Sequence, residues 1–177
     1  MQPPTETRAS SATPGPVAAD RAFDAAFSLV AFTLNRYLVD HMLRAARQLT
    51  EGDLEMLVLM GVLAHQNVTH LMPPGSVPTE VLAEDGRVPD DAQRLRPLRL
   101  RDLTAITGIP RETARRKLEK LAHLRLAERR GRGWAISTER FETDLREFTR
   151  ESTRRMLAAA DEVRGHLAAA KVGGDVR

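Results

Sequence analysis

Arg111, Glu112, Thr113, Arg115, Arg116 and Lys120 make one polar group, and Arg129, Arg130 and Arg132 make a second, all within 22 residues. A guanidinium donates two parallel hydrogen bonds, a geometry that fits guanine O6 and N7 in a major groove. Arg116 is therefore expected at a base edge, and Arg111 at a base or a phosphate. Glu112 stands four residues before Arg116, so it can meet a base or simply pair with that arginine along a helix. Arg132, between two glycines, suits a minor groove or its flanking phosphates. No comparable set exists for breaking bonds. The chain has no cysteine, which removes disulfides, thiolate metal sites and cysteine nucleophiles. His65 and His70 are five apart and fall on different helix faces, unlike the four-residue spacing of a zinc protease helix. With no Ser-His-Asp set, phosphate-cradling loop or paired carboxylates, neither an enzyme nor a metal or cofactor is expected.

Side chains reach a groove only when rigid elements carry them there. Leu103 and Ile106 supply the inner side of a short helix, and Gly108 follows where a tight turn needs a residue tolerant of positive φ. Pro110 suits the start of the next helix, where a missing N–H costs nothing. At 100° per residue this second helix, expected over 110–124, sets Ala114, Leu118 and Leu121 on one side. Glu112, Arg116 and Lys120 fall on the other. Leu124–Arg129 then reads as a strand, Gly131-Arg132-Gly133 as a tip, and Trp134-Ala135-Ile136 as the returning strand, with Trp134 packing the hairpin onto the helices. Helix, turn, helix and hairpin in this order predict a mostly α protein containing a winged helix-turn-helix over 96–138, with a small β-hairpin wing at 129–134.

The run Ile109-Pro110-Arg111-Glu112-Thr113-Ala114-Arg115-Arg116-Lys117-Leu118-Glu119-Lys120-Leu121, with Leu126-Ala127-Glu128-Arg129 and Gly131-Arg132-Gly133, resembles winged helices of three bacterial regulator families. These are the multiple-antibiotic-resistance, isocitrate-lyase-repressor and catabolite-activator regulators. The resemblance covers about forty residues. In the catabolite-activator group an Arg-Glu-Thr-x-x-Arg run opens the recognition helix. The resemblance thus implies base contacts by Arg111, Glu112 and Arg116 and a phosphate contact by Thr113. Residues 1–96 show nothing like a cyclic-nucleotide domain, so that group's effector is not implied.

Charge is distributed to match. Formal net charge is only +3, yet residues 94–134 hold thirteen Lys or Arg against four Asp or Glu, whereas 51–93 hold one against eight. A basic patch confined to one module is the footprint of phosphate binding. Around it, residues 1–19 read as a disordered tail without a signal peptide. Residues 20–71 read as two N-terminal helices for dimerisation or an effector, 72–95 as a loop, 139–170 as a dimerising C-terminal helix, and 171–177 as a flexible tail. On the first helix Phe23, Phe27, Val30, Leu34, Leu38 and Met42 recur every three or four residues. On the last, Phe141, Leu145, Phe148, Ser152, Met156, Ala160, Val163 and Leu167 do the same. The longest apolar run, Met56–Ala64, is far shorter than the roughly 20 residues that span a bilayer.

These features predict a cytoplasmic, homodimeric regulator of transcription that binds specific double-stranded DNA, with no membrane partner. Pairing the apolar faces of the two long helices would place two recognition helices roughly 34 Å apart, on an inverted repeat. Two other readings stand beside it. One is a winged-helix module for protein contacts that binds nucleic acid loosely, although such a face should show Leu, Tyr or Trp rather than Arg, Glu and Lys. The other is a ligand sensor with a pocket between helices 20–48 and 53–70, which leaves room for an unidentified small-molecule effector.

Overall fold

A computed structural model describes residues 16–71 and 95–174. Residues 1–15 of the tail expected over 1–19, 72–94 of the loop expected over 72–95 and 175–177 of the tail expected over 171–177 lie outside the described residues, as do the side chains of 138–144, Phe141 among them. The fold is mostly helical, with one small sheet. In chain order it has α1 (Pro16–Leu49), α2 (Leu54–Val68), a 3-10 turn (Thr69–Leu71), α3 (Leu100–Thr107), α4 (Arg111–His123), β1 (Ala127–Arg130), β2 (Gly133–Ile136) and α5 (Thr138–Gly174). Both long helices outrun their expected bounds. α1 starts at Pro16, where proline is tolerated in a first turn and the following Ala residues favour helix. α5 continues through Lys171 and Val172 to a glycine pair.

The described residues form two compact units, 16–37 with 155–174, and 38–71 with 95–154. In the second, α2 is the hub. Asp53 ends the preceding turn as its N-cap, accepting the Met56 N–H at 3.0 Å, which satisfies one of the donors a helix start leaves open. Met56, Leu59, Met60 and Leu63 are buried among Leu103, Ala114, Leu118, Leu121, Leu126, Trp134 and Ile136. The apolar side of α2 is thus spent on the motif elements. α3 is only two turns long, and its inner side is Leu100, Leu103 and Thr107; Ile106 lies beyond the edge of that stripe and is exposed.

β1 and β2 pair antiparallel, with Ala127 opposite Ile136 and Arg130 opposite Gly133. Leu98 adds a bridge to Trp134 on the other edge of β2, through bonds of 2.8 and 2.9 Å in both directions. β2 is consequently central and wholly buried. Asn67, fully buried on α2, stitches this edge to the helix. Its amide donates to the Arg96 carbonyl at 2.7 Å, and its Oδ1 accepts the Ile136 N–H at 2.8 Å.

The first unit pairs the N-terminal part of α1 with the C-terminal part of α5. Ala22, Ala26, Val30 and Thr33 are buried. The Thr33 hydroxyl donates to Glu162 at 3.0 Å, and Arg36 ion-pairs with the same carboxylate. The residues buried on this part of α1 are mostly small, and the expected phenylalanine face is not among them. Of Phe23, Phe27, Val30 and Leu34, only Val30 is buried; Phe27 remains 56% exposed.

Candidate nucleic-acid interface

The turn between α3 and α4 is built by three short-range devices. Gly108 takes φ 69° as the α3 C-cap and donates its N–H to Thr104, a left-handed conformation that glycine adopts without a Cβ penalty. The Thr107 hydroxyl donates to the Leu103 carbonyl and accepts the Ile109 N–H at 3.3 Å. Ile109 is buried, which seats the turn, and Pro110 stands as the N-cap whose carbonyl accepts the Ala114 N–H at 2.8 Å.

α4 buries Ala114, Leu118 and Leu121. Opposite that side, by helical geometry, run Glu112, Arg116, Glu119 and His123. The geometry separates residues that sequence alone groups together. Arg115, on one flank, is braced twice, by Glu112 at 3.0 Å through its Nε and by Glu119 at 2.6 Å. The Arg115 guanidinium holds the Glu112 carboxyl below its usual range, and the two glutamates push the Arg115 pKa up. Arg116 and Arg111 are exposed and make no ion pair among the described residues. Thr113 is half-buried. Lys120 is tied to Glu51 at 2.8 Å.

At the hairpin, Arg129 and Arg132 are exposed, and Gly131 turns the tip with φ 56°. Arg130 is half-buried and donates to Glu128 at 2.6 Å. Of the nine expected contact residues, four therefore carry exposed arginine charge with no ion pair among the described residues: Arg111, Arg116, Arg129 and Arg132. Sequence reasoning passed over two more. Arg96 and Arg99 are also exposed and make no ion pair among the described residues, and they lie either side of Leu98, which bridges to Trp134. Their only signal was the extended Arg-Pro-Leu-Arg run ahead of α3. Trp134 is buried, as its expected packing role requires. Among the described residues no group of His, Cys, Asp or Glu is placed to hold a metal ion, and no helix is long and apolar enough to cross a membrane.

No protein-family model matches the sequence, and neither a curated protein nor a solved structure matches the chain.

Proposed function

We propose that the chain is a winged helix-turn-helix regulator that binds specific duplex DNA as a homodimer inside the cell. α4 enters the major groove and the β1–β2 hairpin meets the backbone or the minor groove. One observation carries the reading: α4 turns its apolar side into the core while Arg116, on the opposite side, is exposed and makes no ion pair among the described residues. An arginine so placed keeps both donors for guanine. Arg132 at the hairpin tip and Arg96 and Arg99 beside the bridge supply a wider cationic rim for phosphates. The second copy is supported by the exposed Phe23, Phe27 and Leu34 on α1, an apolar stripe that water disfavours.

Selection of bound duplexes from a random pool tests the whole reading. The expected result is enrichment of an inverted repeat with half-sites about one helical turn apart. Binding without any enriched sequence would favour loose electrostatic contact, and no binding would end the proposal.

A further inference from the structure

The chain contains only three lysines, at 117, 120 and 171, among 27 basic residues. Two of the three stand on α4, and both reach one acidic turn. Lys117 ion-pairs with Asp53 and lies 3.2 Å from Glu55; its side chain is 14% exposed. Lys120 meets Glu51 at 2.8 Å, with both side chains about half exposed. The turn that carries Glu51 is closed by the Gly52 N–H, which donates to the Ala46 carbonyl at 2.8 Å. Glu51 adopts φ 54° although it is not glycine, a conformation that persists only where its surroundings determine it.

The two pairs differ in kind. Lys117 is sheltered, and its carboxylate partner is also the α2 N-cap, so this pair anchors α4 on α2. The Glu51–Lys120 pair is solvated and exchangeable. We infer that Glu51 is a displaceable counter-ion for Lys120, occupying that lysine while the protein is free and lowering its affinity for phosphate regardless of sequence. Non-specific binding rises with every cation available to phosphates, whereas discrimination comes from base contacts. Occupying a lysine on α4 therefore weakens binding to every duplex alike and leaves discrimination to the base contacts. This consequence rests on the DNA-binding reading above; the pairing itself does not.

Glu51→Gln, Lys120→Gln and the double variant test it, on the full chain. Two readouts are needed: fluorescence anisotropy with labelled duplex DNA across a potassium chloride series, and the acylation rate of each lysine amine in the free protein, with Lys171 as internal reference. Glu51→Gln should bind every duplex about 2–5-fold more tightly with a salt slope steeper by about 0.9. In the Lys120→Gln background less than half of that gain should remain. Free of DNA, Glu51→Gln should raise Lys120 acylation about 2–5-fold and leave Lys117 unchanged. An unchanged acylation rate overturns the pairing, and so does a gain that survives in full without Lys120. If no duplex binds any variant yet Lys120 acylation still rises, the DNA reading falls and the counter-ion role of Glu51 stands.

Discussion

Asp53 does two jobs with one carboxylate. Oδ1 caps α2 through the Met56 N–H, and Oδ2 holds the Lys117 ammonium. Burial pushes the Asp53 carboxyl up, but the hydrogen bonds from Lys117 and Met56 outweigh it and hold the group below its ordinary 3.8. A carboxyl lowered in the folded state adds stability above its unfolded value, and that contribution is lost as pH falls through the folded one. Asparagine is as good an N-cap as aspartate, so Asp53→Asn should keep the cap and lose the charge, whereas Asp53→Ala loses both at a further cost of about 0.5–2 kcal/mol. Urea unfolding from about pH 3 to pH 7 checks this. Wild type should lose stability below about pH 4 through this group, and Asp53→Asn should show a shallower acid limb. Equal costs for the two variants would contradict the capping role. Residue-scale electrostatics also explain why neighbouring arginines differ: Glu112 and Glu119 ion-pair with Arg115, whereas Arg116 makes no ion pair among the described residues and only adds to the field at Glu112.

At the scale of elements, the hairpin is fixed by a close approach that no periodicity encodes. A Cβ added at Gly133 would stand 2.8 Å from the Pro97 Cβ and 3.0 Å from the Pro97 carbonyl carbon. Gly133→Ala should push the Leu98 bridge off Trp134 at a cost of about 1–3 kcal/mol, the range for overpacking. Hydrogen exchange reads this at the Leu98 and Trp134 amides, which donate to each other's carbonyls; protection at both should fall, and unaltered protection would refute it. The glycine itself was legible as a turn residue, but its partner was not, because Pro97 is 36 residues earlier in the chain. The same division holds elsewhere. Gly108, Pro110 and the Ala114–Leu118–Leu121 stripe announce a turn and an amphipathic helix, since their causes are local. Nothing local marks Asn67, since its partners are backbone groups 29 and 69 residues away. The hairpin was expected from its glycines, whereas the Leu98 strand was not, one residue being too short for any alternation to show. Ile106 was expected inward because it fits helical spacing from Leu103, yet a two-turn helix buries too narrow a stripe to reach it.

For the whole molecule, α1 exposes Phe23, Phe27 and Leu34 while Ala22, Ala26 and Val30 are buried. In the proposed dimer a second copy covers the apolar surface left over. Sedimentation of the full chain at micromolar concentration should give twice the chain mass, and Phe27→Glu should shift it to the single-chain mass. A wild type that is one copy throughout would refute the dimer and leave α4 as a reader of one half-site. The decisive comparison is the affinity of wild type and Arg116→Ala for the duplex that wild type selects, and for the same duplex with one base pair changed in each half-site in turn. Arg116→Ala should lose about 1–3 kcal/mol on the selected duplex and become indifferent to one particular base pair. A variant that keeps the wild-type affinity and the wild-type preference at every position would contradict the assignment of α4 as the element that reads DNA.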